Sequence, residues 1–85
     1  MPRRSDSERL AQLRSQFRAL QQVLADDAAS VAETEETLAK TLESAAENMP
    51  QHAGRLRKRA REARRYAATE RKESKRLRAG GSTVA

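Results

Sequence analysis

The chain has 85 residues, of which 36% are hydrophobic and 2% are aromatic, so it forms at most one small domain with little apolar surface to bury. It contains no cysteine, which excludes a disulfide framework and a thiolate metal site and suits a reducing compartment. Neither a signal peptide nor an apolar run of membrane-spanning length is visible, and we expect a soluble cytoplasmic protein that is stabilised by self-association or by a partner.

Charge is divided unevenly along the chain. Residues 1–50 carry 6 basic and 9 acidic side chains, a net charge of −3, whereas residues 51–85 carry 12 basic and 3 acidic ones, a net charge of +9. The two halves are electrostatic opposites, so the acidic half is a candidate counter-charge for the basic half.

The first predicted element is a long helix over residues 7–47, preceded by a short basic tail over residues 1–6. Ser5 and Glu8 have the spacing of a capping box, which indicates a helix start. No Gly or Pro interrupts the chain from there to residue 47. The Asp26-Asp27 pair is where we expect a local irregularity or a change of register.

Large apolar residues recur at three- and four-residue steps along this helix and predict one apolar seam. Val31, Leu38 and Ala45 continue the seam, but its alternate positions become polar after Leu24. We therefore expect the N-terminal part of the seam to bind a partner, in the first instance a second copy of the chain. That part consists of Leu10, Leu13, Phe17, Leu20 and Leu24.

A turn over residues 48–54 is predicted next, because Pro50 lacks an N–H and disfavours helical geometry at Met49. A second helix is predicted over residues 55–78, followed by a flexible Gly-rich tail over residues 79–85. The apolar face of the second helix is mostly alanine and buries little area, so this helix depends on a neighbour. That face consists of Leu56, Ala60, Ala63, Ala67, Ser74 and Leu77.

A chain that folds back at Pro50 brings residues whose numbers add to about 100 face to face. The acidic residues of the first helix then lie along the basic second helix. The predicted fold is all-α: a two-helix antiparallel hairpin or coiled coil that dimerises to a four-helix bundle. An extended coiled coil is the alternative arrangement.

The basic segment after the turn has two interpretations. It is either neutralised by the acidic helix, or it binds an anion outside the hairpin, namely an acidic protein partner or a nucleic-acid backbone contacted without base reading. Guanidinium groups suit carboxylate and phosphate equally. The residues concerned are Arg55, Arg57, Lys58, Arg59, Arg61, Arg64 and Arg65.

No stretch of the sequence has the pattern of an active site. His52 is the only histidine and lies in the predicted turn, so a two-histidine metal site cannot be built. We expect no enzymatic activity, no metal and no cofactor. The sequence predicts a small regulatory or adaptor protein that binds a protein partner through its leucine-rich seam and its Arg-rich helix, with non-specific nucleic-acid binding as the alternative.

Ser15, Arg18, Gln22 and Asp26 have the spacing of a Glu-x3-Ser-x2-Arg-x3-Gln-x3-Asp signature, with Ala11 in place of the leading Glu. In this segment the chain resembles the actinobacterial anti-sigma factors called RsiG, which are helical hairpins. The resemblance implies binding of cyclic di-GMP, with Arg18 and Asp26 as guanine contacts and Ser15 and Gln22 beside them. It also implies a sigma factor as the partner.

A second resemblance is to the small helical hairpins exported by type VII secretion. Their turn carries Trp-x-Gly where this chain has His52-Ala53-Gly54, and their export signal Tyr-x3-Asp/Glu is matched by Tyr66 and Glu70. This resemblance implies an exported hairpin.

Overall fold

The computed structural model describes residues 2–80, with side chains from residue 5 onward. These residues form two α-helices, α1 over Pro2–Asn48 and α2 over Ala53–Arg78, joined by a 3-10 turn over Pro50–His52. Within this part of the chain there is no β-strand. The molecule extends 74 × 20 × 13 Å, the shape of a long helix with a shorter one folded back along it. The predicted all-α helical hairpin is confirmed.

α1 is longer than predicted at its N-terminal end. It begins at Pro2, so residues 2–6 belong to the helix instead of forming a separate tail, and Ser5 is not its N-cap. Proline is favoured in a first helical turn, where its missing N–H would have had no partner. The helix also continues through Asp26 and Asp27, so the expected irregularity is not present there.

The connection between the helices is shorter than predicted. Met49 leaves helical geometry, with φ −129° and ψ 75°, as a residue before proline does. Its N–H still donates to the Ala45 carbonyl at 2.9 Å, and the His52 N–H donates to the Met49 carbonyl at 2.9 Å. Ala53 and Gly54 were expected in the turn but form the first residues of α2.

Alanines at seven-residue steps form the seam between the two helices. Ala39 of α1 packs with Ala60 and Ala63 of α2, and Leu42 covers the edge of this cluster. Small side chains let the two helices approach closely, although each buries little area. The predicted alanine face of α2 is confirmed. The buried residues are Ala25, Ala28, Ala32, Ala39 and Ala46 of α1 with Ala60, Ala63, Ala67 and Ser74 of α2.

Ser74 lies in the seam at the far end of the hairpin. Its Oγ donates to the backbone carbonyl of Ala25 at 2.8 Å, and it is the one polar residue buried among residues 5–80. The pairs Ala25 with Ser74 and Ala39 with Ala60 have numbers that add to about 100. The predicted antiparallel register is therefore confirmed.

The face of α1 that is covered differs from the one predicted. The spacing of large apolar residues predicts Val31, Leu38 and Ala45 in the seam, but the structure buries the alanine that follows each of them. One residue along a helix is a rotation of about 100°, so the larger side chains face sideways. The reason is that α2 presents alanine at the same seven-residue step, and small residues opposite small residues give the closest packing.

α2 ends well short of the N-terminus of α1. Ala79 and Gly80 donate backbone hydrogen bonds to the carbonyls of Lys75 and Leu77, and Gly80 has φ +89°, a conformation that favours glycine. Gly80 lies beside Gln21 of α1. Residues 5–20 therefore continue past the end of α2 as a single helix, which we call the overhang.

Candidate functional site

One flank of the hairpin is held by paired charges. Arg64 donates from Nε at 3.0 Å and from Nη2 at 2.7 Å to the Glu43 carboxylate. Arg71 donates in the same way to Glu36, at 2.9 and 2.7 Å. These hydrogen bonds hold the pKa of Glu36 and Glu43 below its ordinary value and raise the pKa of both arginines. We call this the charged flank.

Two further ion pairs lie near the open end of the hairpin. Arg78 donates from Nη2 to Asp26 at 2.9 Å and so joins the last turn of α2 to α1. Arg76 pairs with Glu73 within α2, and this hydrogen bond holds the pKa of Glu73 below its ordinary value. The acidic helix therefore neutralises part of the basic one, through three ion pairs between the helices.

Most of the predicted anion site stays exposed. Arg64 is engaged on the charged flank, and Arg55 donates to Nδ1 of His52 at 3.0 Å. Among the residues with described side chains, no carboxylate lies within ion-pair distance of the other five members. Those five are Arg57, Lys58, Arg59, Arg61 and Arg65.

A line of positive charge runs along the outer face of α2. Its members follow one another at three-, four- and seven-residue steps, so they share one face of the helix, and all are exposed. Within the described part of the chain none of them forms an ion pair. This line, the basic ridge, consists of Lys58, Arg61, Arg65, Lys72 and Lys75.

The flank opposite the charged one is apolar. Leu24, Val31 and Leu38 follow at seven-residue steps along α1 and are 45%, 39% and 41% exposed. Tyr66 of α2, which is 52% exposed, lines the same shallow groove as Leu38 and Leu42. We call this surface the apolar groove.

Several carboxylates lie along the apolar groove. Glu35 and Glu62 line it, together with a single arginine, Arg59. Glu70 and Glu73 follow Tyr66 by four and seven residues, so all three acidic residues of α2 share the face of Tyr66. This acidic rim is not among the sites predicted from the sequence, although the four- and seven-residue spacing around Tyr66 indicates it.

The overhang carries four large apolar side chains that are each more than half exposed. Leu10 and Phe17 lie on the seven-residue line that continues into the apolar groove, and Leu13 and Leu20 lie on the line beside it. The two surfaces therefore meet at Leu24. Arg14 and Arg18 lie beside the apolar side chains of the overhang. This leucine stripe consists of Leu10 (54% exposed), Leu13 (54%), Phe17 (57%), Leu20 (54%) and Leu24 (45%).

The residues singled out by family resemblance are also on the surface. Ser15, Arg18 and Gln22 are exposed on one line of α1, and Asp26 on the same line accepts the hydrogen bond from Arg78. Binding of cyclic di-GMP at these residues stays a prediction. Tyr66 lies in the middle of α2, on the apolar groove.

Metal binding and membrane spanning were considered for residues 5–80. No cluster of His, Asp and Glu side chains there is arranged to hold a metal ion. Neither α1 nor α2, over the residues that can be described, is long and apolar enough to cross a bilayer. No family model, curated protein or solved structure matches the chain.

Proposed function

We propose that this protein is a non-catalytic regulatory or adaptor protein in which the hairpin is a stem and the leucine stripe is covered by a helix of another polypeptide. The observation that carries the proposal is the exposure of five large apolar side chains, each about half uncovered, on one face of α1. Exposed apolar side chains that adjoin one another on one face are typical of interaction sites.

Energetics favour an external partner for the overhang. Covering a leucine or phenylalanine side chain contributes about 1.5–3 kcal/mol, and the intramolecular seam uses alanine instead. A single helix without a packed face is marginal in water. The overhang therefore gains most of its stability when another helix lies against the leucine stripe.

Charge indicates which partners suit the protein. Arg14 and Arg18 lie beside the leucine stripe, and the whole chain carries a formal charge of +6. Opposite charge speeds association and selects between partners. A helix that has an apolar face with carboxylates at its edges fits this surface.

Affinity capture from the native host tests the proposal. The tagged protein is compared with Leu13→Ser/Leu20→Ser and with the matched control Ala11→Ser/Ala19→Ser, which alters exposed positions of the same overhang away from the stripe. We expect a protein that is retained at moderate salt by the wild type and the control and is lost from the stripe variant. Equal retention by all three contradicts the proposal.

The basic ridge supports a second candidate function, which is non-specific binding of nucleic acid. Five exposed cations along one helix face, with no ion pair among the described residues, suit a run of phosphates. α2 has Tyr66 as its one aromatic residue and no Asn or Gln, so base stacking and base reading are not favoured.

Duplex DNA titrated at several salt concentrations tests this second candidate. Binding through the ridge should weaken steeply with salt. The slope of log binding constant against log salt concentration should be about −0.9 for each phosphate contacted. Lys58→Glu/Arg65→Glu should weaken binding and reduce the slope, whereas Arg9→Glu/Lys40→Glu makes the same charge change on α1 and should do so less. Equal losses in both variants would indicate attraction to net charge alone.

A further inference from the structure

We propose that the occupant of the leucine stripe is a second copy of this chain, placed so that the overhang of each copy lies in the apolar groove of the other. This inference rests on the proposed function, because it names the partner for the same surface. It differs from a dimer in which the two overhangs pair with each other. Four features of the described residues support it.

The first feature is matched spacing. Leu10, Phe17 and Leu24 lie on the same seven-residue line of α1 as Leu24, Val31 and Leu38. In the proposed dimer the two copies of α1 run antiparallel and cross at Leu24. The overhang of each copy then covers the groove of the other from Leu10 to Leu24, which is about 21 Å at about 1.5 Å per residue. Leu10 then comes to Leu38, and Phe17 comes to Val31.

The second feature is charge. The groove has an acidic rim that includes Glu35 and Glu62, whereas the stripe has Arg14 and Arg18 beside it. In the antiparallel arrangement Arg14 of one copy comes close to Glu35 of the other. Overhangs paired in parallel would instead bring Arg14 near Arg14, which is unfavourable.

The third feature is that, within the described part of the chain, no second helix covers residues 5–20. Within each hairpin, residues 25–46 are covered by α2 on one side, and residues 5–20 extend past its end. In the reciprocal dimer each overhang lies against α1 and Tyr66 of the second copy. Both ends of the assembly then contain three packed helices.

The fourth feature is surface area. The chain exposes 6847 Å², whereas a compact monomer of 9.5 kDa exposes about 5,000 Å². A standard interface takes about 800 Å² from each partner. The excess surface is therefore large enough to supply an interface of ordinary size.

Exchange of opposite charges between copies tests the reciprocal geometry. Arg14→Glu alone places Glu against Glu35 at both contacts of a dimer, and Glu35→Arg alone places Arg against Arg14 at both contacts. A mixture of the two variants restores an opposite pair at each contact. Residues 14 and 35 are about 30 Å apart along one helix, so only contact between copies can produce this restoration.

Sedimentation equilibrium supplies the measurement, with far-ultraviolet circular dichroism to verify that each variant stays helical. We expect the wild type at twice the 9.5 kDa of one chain, each single variant about tenfold weaker in dimerisation, and the equimolar mixture restored to wild-type affinity. Arg61→Glu makes the same charge change on the basic ridge and should dimerise as the wild type does.

A monomeric wild type overturns the inference, as does a mixture that is no stronger than its components. Dimers that persist equally in every charge variant but are lost in Leu13→Ser/Leu20→Ser also overturn it, because they indicate paired overhangs. None of these outcomes decides the proposed function. That proposal fails only if the stripe variant also retains every protein captured from the host.

Discussion

The two halves of α1 use their apolar residues in opposite ways. From Ala25 to Ala46 the helix buries alanine against α2. From Leu10 to Leu24 it exposes much larger leucine and phenylalanine side chains to solvent. Small residues therefore hold the fold, and large residues stay available. Because a short turn fixes the register, the hairpin forms although the alanine seam buries little apolar area. The more hydrophobic leucine stripe is left for association.

The largest expected effect follows from removing the leucine stripe. Leu13→Ser/Leu20→Ser should weaken association at least about 100-fold, because each leucine lost from a covered surface removes about 1.5–3 kcal/mol. The unfolding of the hairpin itself should be unchanged, since these residues lie outside the alanine seam. Sedimentation equilibrium measures the first quantity, and thermal unfolding at a concentration where the protein is monomeric measures the second.

Ala11→Ser/Ala19→Ser is the control for that variant, because both alanines are exposed in the same overhang. It should associate as the wild type does. If the monomeric stripe variant unfolds at a much lower temperature than the wild type, the leucine stripe supports the fold. That result would contradict the view that alanine packing alone holds the hairpin together.

A smaller effect is expected from overfilling the seam. Ala39 is fully buried against Ala60 and Ala63, so Ala39→Leu should push the helices apart and destabilise the hairpin by about 1–3 kcal/mol. Ala68→Leu makes the same change at an exposed position of α2 and should be nearly neutral. Urea unfolding compares the two, and equal stability of both variants would mean that the helices are not closely packed at Ala39.

The sequence was sufficient to predict the hairpin, because Pro50 ends the first helix and the alanine face of α2 is regular. It was not sufficient to predict which face of α1 is buried. Leu24, Val31 and Leu38 are more hydrophobic than the alanines beside them, and the periodicity of large residues favoured them. Close helix approach selects small residues instead, and that choice depends on the partner helix.

The same limit applies to the candidate site. The leucine stripe was recognisable from the sequence because its residues are large and regularly spaced. The arginines that remain exposed were not recognisable from the sequence. Arg64 and Arg71 differ from Arg61 and Arg65 only in the direction that the folded α2 gives them. Pairing depends on the rotation of α2 about its axis, which the seam sets.

Ser74 offers a finer test of the seam. Ser74→Ala removes the hydrogen bond to the Ala25 carbonyl but keeps a small residue in place, and that carbonyl also belongs to the helical hydrogen-bond ladder of α1. We expect a loss of about 0.5–1.5 kcal/mol in the free energy of unfolding. Unfolding in urea measures it, with Ser44→Ala at an exposed position as the control. A loss well above this range would mean that the bond, rather than the alanine packing, fixes the end of the hairpin.

The smallest effect is expected from the charged flank, because its ion pairs are about half exposed and are screened by salt. The pKa of Glu36 and Glu43 is lowered in the folded state by Arg71 and Arg64. Their contribution is therefore complete above the ordinary carboxyl pKa and is lost as pH falls through the lowered value.

Thermal unfolding of the monomer across acidic pH at low salt checks this dependence. Glu36→Gln/Glu43→Gln should reduce the slope of stability with pH, whereas Glu33→Gln/Glu47→Gln, at exposed carboxylates that form no ion pair among the described residues, should leave it nearly unchanged. Identical slopes in the two double variants would contradict a role for these pairs.

Amide hydrogen exchange measured over a range of protein concentrations tests the contrast between the two halves of α1 most directly. We predict that the helical amides of residues 25–78 are protected at every concentration, because the alanine seam lies within one chain. Residues 5–20 should exchange fast in the monomer and become protected as the protein associates. Protection of residues 5–20 in the monomer, or protection of residues 25–78 that depends on concentration, would contradict the division between an alanine-packed hairpin and a free leucine stripe.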